Sequence, residues 1–188
     1  MKPTNACLRL ALSLLFIWPG LVFLPTAQAN DQTMYNRDHP VWHGHSLARL
    51  SKYIGTDNNR AVLDDPEVID AMKGQLGGSY KAVRERLLRN PAIIGFNLLF
   101  LDLRGSLTAQ NNQEQAAILI INLTNSIIYT GLLTGGKTIV YGNHGPDEDK
   151  PLYGELPEQL RLWVAQTANQ DYADEPPTKN FEWHFKSR

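Results

Sequence analysis

Three histidines, His39, His43 and His45, stand close together beside Trp42 in the segment HPVWHGH. Imidazoles at that spacing can ligate zinc or copper. No carboxylate in a fixed helical register completes a set, and Gly44 loosens the chain between two of the rings. A solvated cluster is the simpler reading, and no metal is assigned. Asp147, Glu148 and Asp149 offer oxygen ligands for calcium but lack the spacing of an EF-hand loop, so they read as a solvated loop. Asp64 and Asp65 precede Pro66 and are better explained as helix caps than as an acid–base pair. The stretch LLTGGKT, Leu132 to Thr138, has part of a phosphate-loop pattern without the first glycine at the Walker spacing; Gly135-Gly136 as a hairpin turn accounts for it. There is no G-x-S-x-G elbow. Ser51, Ser79, Ser106 and Ser126 fall at expected caps or turns, where hydroxyls bond the backbone. None of these groups reads as an active site. The chain is therefore read as a binding protein, not an enzyme, with no cofactor.

What remains is a polar loop. In RGSLTAQNNQEQAAILIINL, Arg104 to Leu123, a run of small and polar residues leads into an unbroken apolar run. Gln110, Asn111, Asn112, Gln113, Glu114 and Gln115 are the candidate partner-binding residues. The five amides can donate and accept hydrogen bonds, whereas Glu114 would be repelled by an acidic partner unless it stays outside the contact. The plain alternative is a solvated hairpin connection, the commonest use of such a segment.

The elements that would position this loop follow from the rest of the 188 residues. Lys2 and Arg9, the apolar run Leu10 to Leu24 broken by Pro19 and Gly20, and Ala27-Gln28-Ala29 together fit a secretory signal peptide over residues 1–29. The apolar run is short for a membrane span, so stable membrane insertion is not expected, an uncleaved anchor being the alternative. Cys7, the only cysteine, precedes the apolar run and is badly placed for lipid attachment. A mature chain cleaved after Ala29 would have no thiol and no disulfide, and must be held by its core. About 160 residues suffice for one such core. The formal net charge of −1 becomes slightly more acidic without the leader, which argues against a nucleic-acid partner. The expected address is the periplasm or the exterior.

Residues 30–168 read as one α+β domain. Leu47, Leu50 and Ile54 suit one face of a short helix ended by Gly55. Asp64 or Asp65 as cap, Pro66 in the first turn and Glu67 at the positive end of the dipole mark the start of the next helix, with Val68, Ile69, Met72 and Leu76 as its stripe and Gly77-Gly78 as its stop. Ser79 is placed to cap a third helix, in which Tyr80, Val83 and Leu87 face inward and Lys81, Arg84, Glu85 and Arg86 mostly face water. Asn90-Pro91 ends it. Four β-friendly runs follow, Ile93–Leu103, Ala116–Leu123, Ile127–Leu133 and Lys137–Tyr141. Their short connections cannot make parallel crossovers, so an antiparallel meander is expected. Pro157 opens a helix with Leu156, Leu160, Trp163 and Val164 on one side. The expected architecture is α+β, an antiparallel β-meander with helices packed on one face. Residues 169–188 read as an acidic, aromatic tail in which Phe181, Trp183 and Phe185 alternate with Glu182, His184 and Lys186; an edge strand and a mobile segment both fit.

Three blocks carry a resemblance. DDPEVIDAMKGQLGGSYKAVRERL, AAILIINLTNSIIYTGLLTGGKTIVYG and LPEQLRLWVAQ together resemble the leading helices, the paired strands with a GGKxxVY hairpin, and the closing helix of the Ivy family, periplasmic inhibitors of vertebrate (c-type) lysozyme. The resemblance runs from about Leu63 to Gln166. It implies a non-enzymatic inhibitor that plugs the cleft of a peptidoglycan hydrolase. The family's loop carries Cys-x-Pro-His, closed by a second cysteine, and its histidine meets the catalytic carboxylates. GSLTAQNNQEQA stands in that place, with no cysteine, proline or histidine, so the family's key residues transfer to no position here. Two other functions fit less of the sequence: an immunity-type protein against a cell-wall-degrading toxin, and a metal-dependent enzyme built on His39, His43 and His45.

Overall fold

The strand Ala116–Asn122, AAILIIN, is apolar on both faces, a composition that suits only a strand covered on both sides. In the computed structural model, which describes residues 46–107, 115–144, 151–171 and 173–187, it is β3 of a six-stranded sheet. The order along the chain is a 3-10 helix Ser46–Tyr53, α1 (Asn59–Leu63), α2 (Pro66–Leu76), a 3-10 turn Gly77–Ser79 and α3 (Tyr80–Leu88). Then come β1 (Gly95–Asn97), β2 (Phe100–Ser106), β3, β4 (Ile128–Thr134) and β5 (Lys137–His144). A 3-10 turn Tyr153–Glu155, α4 (Glu158–Thr167) and β6 (Phe181–Ser187) complete it. Spatial order equals chain order, β1 to β6. Neighbours are antiparallel up to β5, and β6 lies parallel to β5, with Val140 opposite Trp183. The α+β reading and the antiparallel meander both hold.

Alternate residues of β3 enter two cores. Ala117, Leu119 and Ile121 meet the leading helices through Leu50, Val62, Met72, Val83 and Leu87. Ile118 and Ile120 meet Tyr153, Leu156, Leu160, Trp163 and Val164. The expected cover on one face is therefore supplied by the leading helices, while α4 lies across the other face. The period of two in a strand whose every second residue is apolar on each side requires both layers. The Asp65 carboxylate caps α2 by accepting from the Glu67 N–H at 3.1 Å, and Gly77 closes that helix at φ 52°. Gly135 and Gly136, at φ 58° and 73°, make the two-residue turn between β4 and β5.

Three details differ from the sequence reading. Ile93–Leu103 is not one strand but a hairpin, because Leu98 adopts φ 56° and turns the chain between β1 and β2. Ser79 makes no cap bond to α3 and sits instead 3.1 Å from the Tyr141 hydroxyl. Arg86 does not face water: it is 6 % exposed, and its Nη2 donates to Thr134 Oγ1 at 3.3 Å. The stem lies under α3 because α3 sits close on β2, where Gly105 packs against the Arg86 carbonyl and Leu87 Cα. Of the two alternatives open for the aromatic segment, the edge strand is the one adopted: it is β6, and the sheet extends past residue 168. Phe181 and Trp183 each contact Tyr153 edge to face, and Lys186 Nζ donates to the Gly74 carbonyl of α2.

Candidate functional site

The β2–β3 connection leaves the sheet at one end. Ser106 pairs with Ala116, and the ladder runs one step further through Leu107 N–H to the Gln115 carbonyl at 3.0 Å. Gln115 is exposed and thus stands at the root of the candidate loop. Gln110, Asn111, Asn112, Gln113 and Glu114 lie outside the described residues, as do His39, His43, His45 and the Asp147–Asp149 run. Among the described residues, no group of three or more His, Cys, Asp or Glu could hold a metal ion, and no helix is long and apolar enough to cross a membrane. Asp65 is a helix cap, and Asp64 pairs with Arg84 on the surface. The LLTGGKT stretch is the β4–β5 hairpin.

Beside the root of the loop, on the α4 face, a cleft of about 360 Å³ opens between the end of β2, the start of β3 and the last turn of α4. On this face the sheet carries the small side chains of Ser106 and Ala116, and Trp163 of α4, seated against Gly131, closes one side of the cleft. Asn90 lines it from the chain that follows α3, held at φ 46° with its Nδ2 donating to the Ser106 carbonyl at 3.2 Å. Gln166 and Thr167 line it from α4.

Arg104 supplies the charge. It shares the α4 face of β2 with Asp102, two residues away, and its Nε donates to Asp102 Oδ2 at 3.0 Å. Asp102 is 7 % exposed. Burial pushes its carboxyl above the usual range, and the charge and hydrogen bond of Arg104 oppose that shift without cancelling it. Asp102 and Arg104, two residues apart on a strand that begins Phe100, Leu101 and continues through Leu103, mark a polar spot on one face, a signal carried by spacing and not by any known motif.

Comparison with family models, with curated proteins and with solved structures finds no match to this chain.

Proposed function

We propose that this chain is an exported, non-enzymatic binding protein of the periplasm that presents the β2–β3 loop to the cleft of a peptidoglycan hydrolase such as a c-type lysozyme. The observation that carries the reading is the seat of the loop. It springs from β2 and β3, and β3 is buried along nearly its whole length between two layers. A loop rooted in such a strand has fixed ends, which lowers the entropic cost of docking relative to a free segment. Its amide-rich sequence can satisfy the acids and hydroxyls of a glycan cleft without a disulfide. The leader of residues 1–29 and the resemblance of the helix, strand-pair and closing-helix blocks to the Ivy family support the same reading.

The test is a lysis assay. The mature chain, Asn30 to Arg188, is added to c-type lysozyme acting on cell walls, and turbidity is followed. Inhibition near stoichiometric amounts is expected, and replacing Gln110 to Gln113 and Gln115 with alanine together is expected to weaken it about a hundredfold, the loss of a few buried hydrogen bonds. No inhibition at micromolar concentration would overturn the assignment of lysozyme. Inhibition unchanged by the loop variant would move the contact elsewhere on the molecule.

A further inference from the structure

The cleft beside α4 has the marks of a ligand site in its own right. Its volume of about 360 Å³ lies in the range of small-molecule pockets and far above that of a single water. Arg104 gives its Nε to Asp102, while Nη1 and Nη2 have no hydrogen-bond partner among the described residues. A guanidinium held by its inner edge presents two further N–H groups in a fork that matches a carboxylate. The Arg104 charge is already shared with Asp102, so one fork suits a singly charged carboxylate better than a phosphate dianion. The walls add amide chemistry. Asn90 spends its Nδ2 on the Ser106 carbonyl and keeps Oδ1 as an acceptor. Gln166 is exposed and offers both halves of its amide.

We propose that this cleft binds a small molecule carrying a carboxylate next to a secondary amide. The carboxylate sits on Nη1 and Nη2 of Arg104, the ligand N–H on Asn90 Oδ1, and the ligand carbonyl on Gln166 Nε2. Two sources share this chemistry, the free end of an acylated dipeptide and an N-acylated sugar acid. The cleft is lined by residues at the root of the β2–β3 loop, and its occupancy is read without any partner of that loop.

The experiment is an NMR and calorimetric titration of the mature chain with N-acetyl-alanyl-alanine, its C-terminal amide, and N-acetylmuramic acid. Saturable binding of the dipeptide acid, the sugar acid or both is expected, with shifts at the Arg104, Asn90 and Gln166 side chains; the tighter of the two identifies the source. The C-terminal amide is expected to bind at least about tenfold more weakly than the acid, because the charged half of the fork is lost. Arg104→Lys keeps a charge beside Asp102 but loses the fork, and it too is expected to weaken binding about tenfold. Ala92→Trp fills the cleft from an exposed position on its lip, leaves the ion pair alone, and should abolish binding in a chain that still folds. No saturable binding of either acid up to about 10 mM, equal binding of acid and amide, or binding that survives Ala92→Trp would each overturn the proposal.

Discussion

Asp102 shows how a single group can carry a pH signature. Its carboxyl is raised above the ordinary value of 3.8 because burial penalises the charged form more than Arg104 rewards it. A carboxyl that is harder to ionise when folded takes up its proton first as pH falls. Its contribution to stability is therefore fully present below about pH 4, near the unfolded value, and is lost as pH rises through the folded one. Asp102→Asn keeps an acceptor for Arg104 Nε and removes the titration. The expected outcome is that the urea midpoint of the wild type gains on that of Asp102→Asn as pH is lowered from about 7 to about 4. A difference between the two chains that stays flat across that interval would mean that Arg104 offsets the burial completely. Arg86 is the second buried charge. With Nε and Nη1 lacking partners among the described residues, burial lowers its pKa, but the group remains cationic across this interval, so the two do not confuse each other.

At the scale of elements, the seat of α4 depends on one glycine. A Cβ at Gly131 of β4 would run into the Trp163 ring and, at 2.7 Å, into Ile118 Cγ2. Both neighbours are buried, so neither can swing into solvent. Gly131→Ala is expected to cost about 3 kcal/mol in urea unfolding, at the upper end of overpacking effects, and Trp163→Leu in the same chain should return part of it. A cost below about 0.5 kcal/mol would show that α4 slides freely on the sheet. The α4 stripe itself was legible: Leu156, Leu160, Trp163 and Val164 all enter the second core. So were the Asp65-Pro66 start and the Gly135-Gly136 turn, because each is a local rule with a local cause. The elements that were not legible depend on distant partners. An apolar residue in a left-handed turn, Leu98, carries no turn signal in its type. The pairing of β6 with β5 joins segments separated by α4, and alternation alone does not choose a neighbour. Arg86 reads as a surface residue because charge on a short helix usually is one. The candidate residues divide in the same way: the β2–β3 loop is marked by its composition, whereas Arg104, Asn90 and Gln166 come to line one cleft only through the fold.

For the whole molecule, the arrangement of two layers on one sheet implies two levels of stability. β3 is shared by both cores, so its amides open only when both layers come off. The α4 layer is smaller, and the edge strand of the sheet, β6, exposes Glu182, His184 and Lys186 on alternate positions. It is joined to the leading-helix side mainly through the Lys186–Gly74 bond and the stacking of His184 on Tyr141. Local opening of β6 forfeits the aromatic contacts to Tyr153 but leaves the core around Leu119 and Ile121 intact. Native-state hydrogen exchange is therefore expected to place the amides of Ala117 to Ile121 at the global unfolding free energy and those of Glu182 to Lys186 well below it, by about 2 kcal/mol or more. Equal protection of the two strands would mean that α4 and β6 unfold only with the whole, as one cooperative body. The order matters for binding as well as for folding. The β2–β3 loop is rooted in the strand expected to open last, while the cleft beside α4 has one wall on the sheet and the other on the layer expected to loosen first. A ligand bridging Arg104 and Gln166 would hold those two walls together. Adding a bound ligand in the same exchange experiment should therefore slow α4 amides and leave β3 unchanged.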